Sequence, residues 1–488
     1  MAGTVSLVDT SLRDGQMSVW ATNMTTSMML PIAGDLDAAG FDAIEVVGSS
    51  FFKKCVRELH EDPWERIRLL AGRMRTPLRA IRSRHIAAFQ TTPLVVSRLW
   101  MERLAANGVR QVRISDPSNT VEILARQVTM AREVGLDPIV NLIFSISPKH
   151  TDEYYAARAA RLADVDAMRL CLKDPGGLLT PARVEPLVRA LAASAGGRPL
   201  EIHSHCNTGL GPLCALEAVK HGIRIVNTAI PPLSDGASLP SVFRFAANLR
   251  SLGYDVAVDE RPLREVERCL RAVAHRESFP IGSPAEYDLF HYTHQVPGGM
   301  ISNFVGQLGK LGMADRIDEV LEETARVRAD LGYPIMVTPY SQFVGGQAAI
   351  NVLTGERYAQ VTDEIVAYAS GQWGQEEADG VAPDIRDRVL VHAGTRGVAR
   401  RDDDVTLAQL RRELDAGADV DDDELLLRYL TGRGEVEAMR QAPAAASSGY
   451  RAHELARLVR TMALGARAGP ISVRAGGVTV RAIAGGDG

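Results

Sequence analysis

Eight short β-rich runs, separated by amphipathic stretches, fill the first 257 residues of this chain. They are Val5–Asp9, Ala43–Val47, Arg79–Ile81, Gln111–Ile114, Ile139–Phe144, Ala167–Leu172, Leu200–His203 and Ile223–Ala229. The stretches between them are helical in pattern. Asp62 and Pro63, for example, stand as cap and first residue of a helix through Met74. Eight such alternations in about 250 residues match a (β/α)8 barrel. An open, doubly wound sheet is the competing fold. The chemistry-bearing residues favour the barrel. Asp14, Lys173 and the pair His203/His205 sit at the ends of runs one, six and seven. A closed barrel gathers those ends at one mouth, where barrel chemistry resides, whereas an open sheet spreads them.

The segments LCLKDPGGLL (Leu170–Leu179) and EIHSHCNTG (Glu201–Gly209) carry the strongest chemical signal. Side chains alternate along a strand, so His203 and His205 point the same way. Two same-facing imidazoles with a nearby acid suit a divalent metal. A lysine ammonium at Lys173 cannot ligate a metal, but its carbamate, formed with CO2, can. Each residue also has a plainer reading. The histidines can be a buried strand pair, Lys173 a partner for Asp174, and Arg13 with Asp14 an ion pair at the barrel rim. Cys206, beside the ligands, reads as a packed thiol.

The chain has 488 residues and a net charge of -5, with 46% hydrophobic and 24% charged residues. That is an ordinary water-soluble composition, with no basic stripe for nucleic acid. No apolar run approaches the roughly 20 residues of a membrane span. The N-terminus enters a strand pattern without a signal-like segment, and five scattered cysteines lack paired spacing. A cytoplasmic location with reduced thiols is expected.

Past the barrel (residues 1–257), residues 258–370 read as a mostly helical extension that completes the active site. Residues 371–440 are acidic and helical, with Leu407, Leu410 and Leu414 on one face. Residues 441–449 form a linker. Residues 450–488 hold a helix, with Leu455, Leu458, Val459 and Met462 on one face, and a β-hairpin around Gly476-Gly477, together a candidate partner-docking segment. Pro297-Gly298-Gly299 marks a turn.

The motif DTSLRDGQMS (Asp9–Ser18) resembles the first-strand motif of the biotin-dependent carboxyltransferase family. That family contains the transcarboxylase large catalytic subunit, the oxaloacetate decarboxylase alpha subunit and the pyruvate carboxylase carboxyltransferase domain. The similarity continues in order through HEDPWERIR (His60–Arg68), ISPKHT (Ile146–Thr151), LCLKDPGGLL, HSHCNTG, HQVPGGMISN (His294–Asn303) and VTPYSQFVGGQA (Val337–Ala348). It covers about residues 4 to 370.

This resemblance implies a divalent ion (zinc, cobalt or manganese) held by Asp14, carboxylated Lys173, His203 and His205. It implies that Arg82 binds a substrate carboxylate through paired hydrogen bonds, with Arg13 supporting the same anionic site. Thr338 aligns with a proton-shuttling threonine; a hydroxyl suits a relay because it both donates and accepts. The plainer readings are a helix cap for Thr338 and a structural role for Arg82. The implied reaction moves a carboxyl group between carboxybiotin and a 2-oxo acid such as pyruvate or oxaloacetate. No Met-Lys-Met biotin attachment sequence and no glycine-rich ATP motif occur. Biotin is therefore expected on a separate biotin carboxyl carrier protein, served by a biotin carboxylase subunit. Homo-oligomerisation is also implied.

Four departures fall at the expected barrel mouth. Gln16-Met17 replaces the family's His-Gln, and Val47-Gly48-Ser49-Ser50 its Trp-Gly-Gly-Ala. AIRSRH (Ala80–His85) stands for LLRGQN, and ISDPSN (Ile114–Asn119) for a Phe-Asp-containing strand. They spare the metal ligands and alter the pocket wall, so the acceptor is left open. LRDG followed by Gln16 is also similar to metal-dependent aldolases and acyl-transferring synthases. A biotin-independent lyase or decarboxylase on the same site, and a non-catalytic scaffold subunit, are the alternatives.

Overall fold

The computed structural model describes residues 3–84, 86, 92–296, 314–393, 405–417, 419–442, 469–475 and 478–484. All eight expected runs are strands: β1 Thr4–Asp9, β2 Ala43–Gly48, β3 Leu78–Ser83, β4 Gln111–Ser115, β5 Asp137–Ile143, β6 Arg169–Asp174, β7 Leu200–Ser204 and β8 Ile225–Thr228. They are parallel, each paired with the next in sequence. Both β2 and β8 pair with β1, which closes the barrel. A short strand, Asp255–Val256 (β9), adds to the start of β1.

The two faces of each strand divide the labour. Leu78 and Ala80 of β3, Val112 and Ile114 of β4, Val140 and Leu142 of β5, and Leu170 and Leu172 of β6 face outward into the helical layer. That layer's tightest knot is Phe52, Trp64 and Trp100, with ring centroids 4.3 to 5.3 Å apart. Its local chemistry follows the sequence: Asp62 accepts from the amides of Trp64 and Glu65, and Pro63 opens the helix Pro63–Ala71. The alternate residues point into the barrel. There Val8, Ala43 and Ile225 form a small apolar cluster of their own. Above them the interior is charged. Arg79 of β3 meets Glu201 of β7 at 2.6 Å, a pair that crosses the lumen because these strands are not neighbours.

Helices Ile317–Asp330, Tyr340–Thr354, Asp363–Ala369 and Pro383–Ala393 enclose a second core that includes Leu321, Val327, Tyr340, Phe343, Tyr368 and Trp373. Polar contacts seat it on the barrel. Arg328 donates to Ser145 Oγ at 2.9 Å and to the Ile146 carbonyl at 3.0 Å. Tyr340 and Ser118 share a hydroxyl contact at 2.5 Å, and Arg84 donates to the Trp373 carbonyl at 2.6 Å. Helices Leu407–Glu413, Asp422–Thr431 and Arg433–Gln441 then return to the barrel exterior, where Leu410, Leu425 and Val436 join the core of the helical layer. Leu407 and Leu414 pack partly against it. Strands Gly469–Ala475 (β10) and Val478–Ala484 (β11) form an antiparallel pair.

The Pro297-Gly298-Gly299 turn, most of the 441–449 linker, the helix bearing Leu455 to Met462, and Gly476-Gly477 lie outside the described residues. The five cysteines are buried, and no disulfide joins them. No described helix is long and apolar enough to cross a membrane.

Candidate active site

The chain leaves β1 in a π-helical turn, Ser11–Gly15, which carries Arg13 and Asp14 into the barrel mouth. Asp14 meets the histidines of β7 there. Its Oδ2 lies 3.0 Å from His203 Nε2 and 3.5 Å from His205 Nε2. One ligand atom from each of Asp14, His203 and His205 lies within 4.8 Å of the others.

The far ring nitrogens fix this arrangement. His203 Nδ1 faces Asn227 Oδ1 at 2.9 Å, and His205 Nδ1 faces the Ala237 carbonyl at 2.7 Å. Both partners are acceptors, so each Nδ1 carries the proton and each Nε2 presents a lone pair toward Asp14. Close packing holds His205 in place. A Cβ on Gly177 would come within 2.8 Å of the His205 carbonyl oxygen, and one on Gly211 within 2.4 Å.

Protonation completes the picture. Burial and the Arg113 charge hold the His203 imidazole well below its ordinary range, so it is neutral. Burial alone would raise the Asp14 carboxyl, but the Arg13 guanidinium beside it is foremost among the groups that outweigh burial and keep it ionised. Two lone pairs and a carboxylate facing one point repel each other unless a cation lies among them, and buried His203 Nε2 has no hydrogen-bond partner. The donor set fits a divalent metal.

Lys173, on β6 opposite His203 in register, faces the same cavity. Burial, with the charges of Arg113 and Arg13, pulls its amine down to about 8. Asp174, its sequence neighbour, is occupied elsewhere: it accepts from the amides of Leu178 and Leu179 and from Ser204 Oγ. The Lys173–Asp174 pairing is therefore not formed.

Arg13 is the first link in a buried relay of charges. It bonds Asp14 at 2.6 Å and also pairs with Glu45 of β2. Glu45 takes Arg113 of β4 at 3.0 Å, Arg113 donates to Asn227 of β8 at 3.1 Å, and Asn227 donates to Glu201 of β7 at 2.7 Å. Burial opposes ionisation of Glu45, yet Arg113 and Arg13 bring its carboxyl down to about 2. Sequence reading singled out Arg13 and Asp14 but missed Glu45, Arg79, Arg113, Glu201 and Asn227. Their signal was present: on β3 to β8 the inward positions are all odd-numbered, in step with His203 and His205.

Arg82 corrects the expectation. On β3, Ile81 and Ser83 line the cavity, so Arg82 between them faces outward. It is buried among the helices, pairs with Gln127, and burial pulls its guanidinium down to about 9. It does not reach the cavity.

Thr338 does. The segment Val337–Thr338–Pro339 and Gln342 lie over the mouth and line the same cavity, about 550 Å³ in volume, as Arg13, Asp14, Lys173 and His205. The helix that follows has Pro339 at its cap position with no side-chain capping bond, so Thr338 is not used as a cap. The altered motif residues also line this cavity: Met17, Gly48, Ser49, Ser50, Ser83, Ser115 and Pro117. Gln16 does not, since it bonds the Leu12 carbonyl and the Met24 amide instead. His294 and Gln295 hold their own loop and do not line the cavity: His294 Nδ1 accepts from the Val296 amide at 2.9 Å, and Gln295 donates to the Ile146 carbonyl at 2.8 Å. Cys206 is buried and packed.

Fold and site together define a barrel enzyme with a metal-type centre under a helical cover. Comparison with known proteins narrows this. Residues 4–270 match the HMGL-like family model, and residues 292–444 match the conserved carboxylase domain. The chain is 38% identical over 391 residues to a pyruvate carboxylase subunit from Methanocaldococcus jannaschii, covering 79% of this chain and 68% of that one. It is 31% identical to the methylmalonyl-CoA carboxyltransferase 5S subunit of Propionibacterium freudenreichii subsp. shermanii, covering 77% and 74%. The carboxyl transferase domain of Rhizobium etli pyruvate carboxylase shares the fold with a TM-score of 0.81 at 24% identity, over 91% of this chain and 78% of that one. The chain belongs to the biotin-dependent carboxyltransferase family.

Proposed function

We propose that this chain is the carboxyl-transferring component of a biotin-dependent carboxylase. It would move a carboxyl group between carboxybiotin, carried on a biotin carboxyl carrier protein, and a 2-oxo acid such as pyruvate or oxaloacetate. A biotin carboxylase subunit would charge the carrier. The observation that carries this reading is the convergence of Asp14, His203 and His205 on one point, at the wall of a cavity that Asp14 and His205 line together with Lys173 and Thr338.

Asp14, His203, His205 and a carbamate on Lys173 would hold zinc, cobalt or manganese. Bound there, such an ion supplies Lewis-acid polarisation of a carbonyl oxygen. The chain's own residues do the rest. An amine brought down to about 8 spends part of its time neutral near neutral pH, the form that captures CO2. Arg13 keeps Asp14 ionised and contributes positive potential to the mouth. Thr338 Oγ1, exposed to the cavity, can take up a proton and hand it on. The helical extension brings Val337, Thr338, Pro339 and Gln342 to the cavity wall. The 450–488 segment is the proposed dock for a partner, and the assembly is proposed to be homo-oligomeric.

The test is carboxyl exchange from a carboxylated carrier protein to a panel of 2-oxo acids, with and without avidin. Avidin-sensitive exchange supports the reading. The rebuilt wall of Met17, Ser49, Ser50, Ser83 and Pro117 favours one other possibility, a biotin-independent lyase on the same centre. Its turnover would be indifferent to avidin.

A further inference from the structure

The cavity lining holds four residues that can carry positive charge: Arg13, Lys53, Lys173 and His205. Three are committed. Arg13 is clamped between Asp14 and Glu45. His205 turns its Nε2 to Asp14, and Lys173 stands with the ligand set. Lys53 is different. It sits on the helix Ser49–Lys54 that follows β2, half-buried in the cavity wall beside Ser49 and Ser50. Among the described residues no carboxylate lies within ion-pair distance of it, whereas its neighbour Lys54 pairs with Glu58. Residues 85–91, which follow β3, contain no acid in the sequence. The nearby charge it does feel is Arg57, which, after burial, further disfavours its ammonium.

A half-buried ammonium with no counter-charge is costly to keep, and it stands in the wall of a substrate cavity. The remaining lining nearby is neutral: the thioether of Met17 and the hydroxyls of Ser49, Ser50 and Ser83. The volume exceeds what a three-carbon acid fills, even with room set aside for a ureido ring. We propose that Lys53 is a specificity-determining residue that binds a second carboxylate, at the end of the acceptor remote from the Asp14–His203–His205 centre. The preferred acceptor is then a 2-oxo acid with two carboxylates. This rests on the carboxyltransferase reading for the acceptor's class, but it is tested separately through binding.

The full chain, loaded with zinc, is titrated calorimetrically with 2-oxoglutarate and 2-oxoadipate, each against its distal methyl ester. The ester removes the second charge and keeps the rest. At least one diacid should bind about tenfold or more tighter than its ester. In Lys53→Met that ratio should collapse to about one, and in Lys53→Arg, which keeps the charge and controls for folding, it should persist. Equal binding of both diacids and their esters to the unaltered chain would overturn the proposal. So would a preference that survives in Lys53→Met. Carboxyl transfer is followed in the same variants. If Lys53→Met lowers transfer to diacid and ester alike, the cation faces carboxybiotin instead, and the proposal fails. If no acid accepts a carboxyl group while the binding ratio behaves as described, the carboxyltransferase reading fails and the assignment of Lys53 stands.

Discussion

His203 shows how one side chain is prepared for its role. Its Nδ1 proton is held by Asn227, and its buried Nε2 is left facing Asp14. Removing the orienting group should matter almost as much as removing a ligand. Asn227→Ala should weaken metal affinity by about 10- to 100-fold in a chelator-competition titration. Asp14→Asn should abolish retention altogether, because the neutral amide gives up the charge that two imidazoles cannot replace. Lys173→Ala should weaken metal retention and remove activity. Thr338→Ala should separate the two readouts. Metal content by elemental analysis should match the unaltered chain, while transfer should fall by about 10²- to 10⁴-fold. Unchanged transfer would reduce Thr338 to a piece of cavity wall.

At the level of single strands, the barrel interior is an ionic structure. Glu45 lies between Arg13 and Arg113 with no exposure to solvent. Replacing it by Ala leaves buried Arg113 without its carboxylate and Arg13 with Asp14 alone, and should cost roughly 3–5 kcal/mol in a denaturant titration. The pH dependence follows from its carboxyl, which sits at about 2 in the fold against an ordinary 4.5. A folded value below the unfolded one means that the unfolded chain binds the proton more readily. The stabilisation is therefore complete above about 4.5 and fades as pH falls toward about 2. Glu45→Gln should flatten the acid limb of the stability curve over that interval.

The same strands explain what could be read beforehand. Each outward face is aliphatic and each run is bounded by turn residues, so all eight strands were visible. Inward positions keep strict alternation, so His203 and His205 were legible as a same-facing pair. Arg82 was misplaced because a motif alignment disregards that alternation: with Ile81 and Ser83 in the cavity, the residue between them must face the helices. The cross-lumen pairs were not legible, because Arg79–Glu201 joins residues 122 positions apart on strands that do not touch in the sheet. Lys53 was hidden in a helix beside a second lysine, Lys54, which pairs with Glu58 one turn on.

For the molecule as a whole, the path of the chain after the barrel matters most. Residues 290–296 and 314–389 build a core of their own and carry Thr338 over the mouth, while residues 407–417 and 419–441 travel back to the outside of the barrel. Asp423 fastens that return. It accepts from Arg103 at 2.7 Å, Arg68 at 3.0 Å and Asn107 at 3.2 Å, and its carbonyl takes the Trp64 indole N–H at 3.1 Å. Asp423→Ala should loosen the Asp422–Thr431 helix by roughly 1–3 kcal/mol. Hydrogen exchange should show faster exchange there and unchanged protection at β6 and β7. Faster exchange throughout the barrel would mean that the return segment is integral to the barrel's stability.

The proposed chemistry turns on one cation gripped by Asp14, His203, His205 and a lysine that has taken up CO2. The decisive experiment is high-resolution crystallography, with anomalous scattering collected at the absorption edges of zinc, cobalt and manganese. A single anomalous peak should appear, bonded to both Nε2 atoms and the Asp14 carboxylate, with planar density for a carbamate extending from Lys173 Nζ. A crystal grown with these metals and CO2 that shows no peak, or a bare ammonium turned away from the ligands, would contradict it.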